Sequence, residues 1–102
     1  MTAPLLKLGD TATWRTYPNA KAGPLYSGPV RAIVPAGKSL RAFALAHLED
    51  ASWIASPSIG RVLDSRPAWD RYLVRCEEGG RVVWRAPAVG LVDRQQQKGT
   101  GA

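Results

Sequence analysis

Arginine recurs at alternate positions in one short part of the chain: Arg71 and Arg75 precede a Gly79-Gly80 pair, and Arg81 and Arg85 follow it. The planar guanidinium grips phosphate or carboxylate through a fork of N–H donors. Together with Arg15 and Arg31, these side chains are the candidate partner-binding residues, and the chemistry they offer is recognition of an anion. A solvated sheet face accounts for the same pattern without any ligand.

Other reactive residue types are sparse. Gly37-Lys38-Ser39 follows a β-like run and precedes a helix candidate, the setting of a phosphate-binding loop, but the first glycine of that motif would fall on Ala32. Ser39 as a plain helix cap explains these residues better, although an anion at the helix start would meet free N–H groups and Lys38. His47 is the single histidine, so neither a metal cluster nor a Ser-His-acid triad can be assembled around it. It is expected to cap or pack. Cys76, the only cysteine, reads as an inert core thiol. Glu49, Asp50, Asp64 and Asp70 could be paired for acid-base work, yet nothing fixes their separation; they are expected to balance Arg61, Arg66 and Arg71 at the surface. No catalytic residue, metal or cofactor is expected, and the chain is read as no enzyme.

The composition agrees with an anionic partner. Fourteen Lys and Arg against eight Asp and Glu give the 102-residue chain a formal charge of +6, which suits nucleic acid, an anionic membrane or an acidic protein surface. The lone cysteine excludes an internal disulfide and fits a reducing, cytoplasmic setting. The opening Met1-Thr2-Ala3-Pro4-Leu5-Leu6-Lys7 lacks a charged leader before an apolar core, and no apolar run is long enough to span a bilayer. A soluble, unprocessed protein without a membrane partner is expected.

The arginines must be positioned by a hairpin. Arg71-Tyr72-Leu73-Val74-Arg75-Cys76 and Arg81-Val82-Val83-Trp84-Arg85-Ala86 are rich in aromatic and β-branched residues, and Pro87 stops the second run. If Tyr72, Val74 and Cys76 share a buried face with Val82, Trp84 and Ala86, the loop has odd length, and a three-residue loop with a left-handed glycine fits. All four hairpin arginines then lie on the opposite face.

Earlier in the chain, Leu8-Gly9-Asp10 launches a strand from Thr11 to Thr16 with Ala12 and Trp14 on one side. Residues 17–24, with two prolines and a glycine, form a loop, and a second strand runs from Gly28 to Val34, where Pro29 suits only the beginning. Residues 38–51 favour a helix capped by Ser39, with Leu40, Phe43, Ala44 and Leu48 near helical spacing; a strand is the competing reading, disfavoured by the alanines. Residues 52–69 are irregular, pinned to the core by Trp53, Ile59, Val62, Leu63 and Trp69. Three of the tryptophans are expected to fill the core. The polar residues 94–102 have nothing to bury and are expected to be disordered.

The order of these signals, from Gly9-Asp10 through Gly28 with Val30 and Ile33, Tyr72 with Val74, and Pro87 with a final Val89-Gly90-Leu91-Val92, resembles the SH3-like small barrels, among them the KOW-type modules and the type II dihydrofolate reductases. The resemblance implies a mainly β fold: a small antiparallel barrel over residues 1–93, carrying a helical or irregular insertion at about 35–69. The type II reductases carry a Val-Gln-Ile-Tyr run where this chain has Val82-Val83-Trp84-Arg85, which argues against reductase activity. The pattern also resembles small proteins of phages and mobile elements, which implies a setting and not an activity.

The expected function is a non-enzymatic binding module that engages nucleic acid or an acidic partner through the arginine face. The alternative is a phage or mobile-element effector that binds and inhibits a host protein complex. An enzyme whose site forms between subunits is a third reading.

Overall fold

The computed structural model describes residues 6–15 and 25–92. Its strands are β1 (Thr11–Arg15), β2 (Leu25–Val34), β3 (Arg71–Glu78) and β4 (Arg81–Arg85), each antiparallel to the next in chain order. The mainly β expectation holds, in the form of an open sheet with β1 and β4 at its edges. Helix α1 (Leu40–His47), a 3-10 turn (Ser52–Ala55) and the short α2 (Pro57–Gly60) lie between β2 and β3. Among the described residues no helix is long and apolar enough to cross a membrane. The expected loop at 17–24 and tail at 94–102 lie outside the described residues.

β2 organises the sheet by serving two partners. Its first half, Leu25 to Pro29, pairs with β1, and its second half pairs with β3. The ladder shifts between Val30 and Ala32, which leaves Arg31 as an extra, exposed residue, and such a bulge bends the strand. Pro29, expected at a strand start, instead sits where the partner changes. Gly28 has a separate reason to be glycine: a Cβ there would meet the Arg75 carbonyl oxygen at 2.5 Å.

This geometry covers β3 on both faces. On one, Leu73 and Trp84 pack with Ala32, Val34, Leu40, Ala44, Trp53, Ile59 and Leu63. On the other, Tyr72, Val74 and Cys76 pack with Ala12, Trp14, Val30, Val89 and Val92. A strand buried on both sides reads as a continuous apolar run and not as an alternation, so parity along Tyr72–Cys76 carries no sidedness.

The hairpin register corrects the expected one. Glu78 pairs with Arg81, and Gly79 and Gly80 form the loop between them with φ of 60° and 77°. Positive φ at both central residues is the signature of a two-residue type I′ turn, whose twist matches that of the strands. The even loop reverses the parity: Val74 lies opposite Arg85 and Cys76 opposite Val83, whereas Trp84 lies opposite Arg75. Trp84 is buried, but on the face away from Tyr72.

The insertion begins as expected. Ser39 Oγ accepts from the Ala42 N–H at 3.1 Å, Leu40 and Ala44 are buried and Phe43 and Leu48 are half-buried. The irregular stretch that follows holds Trp53, Ile59 and Leu63 in the core, but Val62 is only half-buried and Trp69 is exposed, against expectation. The insertion also covers the edge of β4. Ser56 Oγ accepts from the Trp84 backbone N–H at 3.0 Å and donates to its carbonyl at 3.2 Å, so a side chain supplies the pairing that an exposed edge would lack. After Pro87 the chain turns helically, the N–H groups of Leu91 and Val92 both donating to the Ala88 carbonyl.

Candidate anion-binding site

The six candidate arginines do not share a face, a correction that follows from the register. Arg75 stands on the Trp84 side, 4.0 Å from an Asp50 oxygen and 3.6 Å from a Glu77 oxygen. Arg85 stands on the other side, donating to both Glu78 oxygens at 2.7 and 2.8 Å, with its guanidinium 3.9 Å from the centre of the Tyr26 ring. This fork holds the Glu78 carboxyl below the ordinary carboxylate range and pushes the Arg85 guanidinium up. Arg81 is exposed at the hairpin tip, Arg31 is exposed at the bulge, and Arg15 is half-buried at the end of β1.

Arg71 departs furthest from expectation. The residue is only 3% exposed. Its Nη2 donates to the Lys38 carbonyl at 2.9 Å and, more weakly, to the Ser65 carbonyl at 3.5 Å. Nε and Nη1 are buried without a hydrogen-bond partner, and no ion pair to Arg71 occurs among the described residues. Burial pushes its pKa down from the ordinary arginine value. A buried cation lacking its counter-charge is costly and rare in proteins.

Arg71 forms part of the wall of a cleft of about 460 Å³, together with Val62, Ser65, Arg66, Pro67, Trp69 and Ala86. The 62–71 segment supplies most of this wall, and two bonds fasten it to the turn at Gly37 and Lys38. Gly37 N–H donates to the Pro67 carbonyl at 2.9 Å, and the bond from Arg71 to the Lys38 carbonyl fastens the same turn to the start of β3. Lys38 and Arg66 are exposed, and Trp69 is 58% exposed on the rim. The nearby carboxylates are engaged elsewhere: Asp64 pairs with Arg41 at 3.0 Å, and Asp70 Oδ1 accepts from the Ala36 N–H at 2.8 Å. The expectation that Asp64 balances Arg66 holds in part: Arg41 on α1 is its hydrogen-bonded partner, and the charge of Arg66 also holds its carboxyl below the ordinary range.

The remaining candidates resolve simply. The N–H of Arg41 donates to the Leu63 carbonyl and that of Ala42 to Ser39 Oγ, so two donors that an anion at the helix start would need are taken. His47 packs on Phe43 with ring centres 4.2 Å apart. Cys76 is buried, and burial, reinforced by Glu78, pushes its thiol up to about 11. Among the described residues no group of three His, Cys, Asp or Glu comes together in a way that could hold a metal ion.

The sequence reading missed the cleft because it assigned Arg71 to water and Trp69 to the core. The signal that marks it is an aromatic interleaved with arginines, Arg66, Trp69 and Arg71, beside Pro67. Comparison with protein-family models, with curated proteins and with solved structures finds no match.

Proposed function

We propose that the chain is a non-enzymatic binding module that holds single-stranded nucleic acid against the face carrying Lys38, Arg66 and Trp69. The observation that carries this reading is an indole 58% exposed on the rim of a cleft beside an exposed arginine. Bases of any sequence stack on such a platform, and basic side chains track the backbone. The charge of +6 favours the encounter. The contact surface is thus the insertion and not the sheet, whose Arg75 and Arg85 are occupied by carboxylates. In this reading the fold is an SH3-like small barrel, supported by the bend that lets β2 pair with both β1 and β3.

Fluorescence anisotropy of a labelled single-stranded oligonucleotide, titrated with protein over a salt series, tests the proposal. If about three basic side chains meet phosphates, the logarithmic salt slope is about −2, and affinity falls about 16-fold between 50 and 200 mM salt. Trp69→Ala removes a stacking contact of about 1–3 kcal/mol. Salt-insensitive binding, or a Trp69→Ala variant that binds like the wild type, removes the reading. Capture of a protein partner that survives nuclease treatment favours the effector reading in its place.

A further inference from the structure

Resting on the nucleic-acid reading, the geometry points to a subsite for a phosphate monoester in the cleft between Arg71 and Arg66, with the attached nucleoside base on Trp69. The first ground is the incomplete state of Arg71: a guanidinium in the wall of a cleft, with Nε and Nη1 unbonded and no carboxylate paired to it among the described residues. Nε and Nη1 lie on either side of Cδ and share no edge of the fork, so each offers a phosphate oxygen one charge-assisted hydrogen bond of its own. They are sealed from water, so the fork meets the ligand by a turn of its plane toward the cleft. Nη2, bonded to the Lys38 carbonyl at 2.9 Å, is the pivot.

The second ground is charge. A phosphate monoester carries about −1.5 to −2 at neutral pH, whereas a phosphodiester within a strand carries one charge. Arg71 and Arg66 together match the monoester. The third ground is shape. A volume of about 460 Å³ lies within the range of small-molecule sites, and the exposed Trp69 on the rim offers a face to the base. A concave site with a buried cation accepts a terminal group more readily than the middle of a strand. The phosphate belongs either to a strand end or to a free mononucleotide.

Two measurements on the full chain test this and separate the sources. In the first, quenching of tryptophan fluorescence is followed on addition of adenosine 5′-monophosphate, adenosine or inorganic phosphate. The monophosphate is expected to bind at least tenfold more tightly than adenosine and to be displaced by phosphate; equal binding of the two, or binding of neither, overturns the subsite. In the second, oligonucleotides bearing a 5′-phosphate, a 3′-phosphate or only hydroxyl ends are compared. Tighter binding of one phosphorylated end assigns the subsite to strand termini. Equal oligonucleotide affinities, alongside monophosphate binding that passes the first test, assign it to free nucleotides.

Because Arg71→Met removes a buried side chain and can unfold the protein, the exposed variants Arg66→Gln and Trp69→Ala are measured beside it. Each is expected to lower monophosphate affinity at least fivefold; wild-type affinity in both overturns the assignment. The two readings fail separately. Loss of all oligonucleotide binding with monophosphate binding intact removes the nucleic-acid reading alone, and oligonucleotide binding without any preference for the monophosphate over adenosine removes the subsite alone.

Discussion

Gly28→Ala probes the close approach on which the two-sided burial of β3 depends. The added methyl carbon would lie 2.5 Å from the Arg75 carbonyl oxygen, 3.0 Å from Val74 Cγ1 and 3.1 Å from the Arg75 carbonyl carbon. Even a weak C–H···O contact needs about 3.3 Å, so β2 and β3 must part by roughly 0.8 Å. The atoms in the way are backbone and a packed valine, and neither can swing aside. Gly28 does not have a positive φ, so alanine brings no dihedral strain; it even restricts the unfolded chain, worth about 0.4–1 kcal/mol in its favour. Overpacking costs about 1–3 kcal/mol, and displacement of the ladder places this case at the upper end. The expected net loss is about 2 kcal/mol, or roughly 8–16 °C in Tm for a domain of this size. Thermal and urea unfolding followed by tryptophan fluorescence measure it. Gly60→Ala, where a methyl meets nothing within 4 Å and φ is not positive, is the control and should gain about 0.4–1 kcal/mol. A Gly28→Ala protein that melts within about 2 °C of the wild type would refute the close crossing of β2 over β3, since a shift that small leaves at most about 0.5 kcal/mol where about 2 kcal/mol is expected.

Other consequences follow from the same contacts. Ser56→Ala leaves the Trp84 backbone N–H without its 3.0 Å partner, so a loss of about 1–3 kcal/mol is expected in urea unfolding. Arg85 holds the Glu78 carboxyl below its ordinary range, so the folded state binds fewer protons than the unfolded one there. The contribution is present at neutral pH and disappears as pH falls through the carboxylate range to the depressed folded value. With the Glu78 side chain 33% exposed, it is worth under about 1 kcal/mol, and Glu78→Gln should flatten that part of the stability profile against pH. The Cys76 thiol has the opposite sign: its folded pKa is raised from 9.0 to about 11. Its contribution is therefore full below about 9 and lost between there and about 11, as the unfolded thiol ionises first. Alkylation at pH 8 should proceed only through unfolding, and rapid labelling of the native protein would contradict the burial.

The elements were legible where local chemistry decides them. Ser39 as a cap, the spacing of Leu40 and Ala44, and Ala12 with Trp14 on one side of β1 all follow from short-range rules, and the structure reproduces them. The hairpin was legible as a pair of strands but not in register, because Glu77-Glu78-Gly79-Gly80 allows loops of two or three residues and one residue of difference exchanges the faces. That choice carried the candidate site with it. Arg71 and Arg75 share a face, Arg81 and Arg85 share the other, and no single arginine surface results. Trp69 was assigned to the core by its apolarity alone. Trp69 follows Pro67, whose carbonyl accepts from the Gly37 N–H, a long-range contact that no local pattern encodes.

The insertion, with the cleft beneath it, is proposed as the contact surface in place of the sheet. Amide chemical-shift mapping of the full chain on addition of a single-stranded oligonucleotide distinguishes the two surfaces. The largest shifts are expected on Lys38, Arg66, Trp69 and Arg71, with Glu78, Arg81 and Arg85 on the hairpin nearly still. Shifts concentrated on the hairpin, or none at all at low salt, would contradict the proposal.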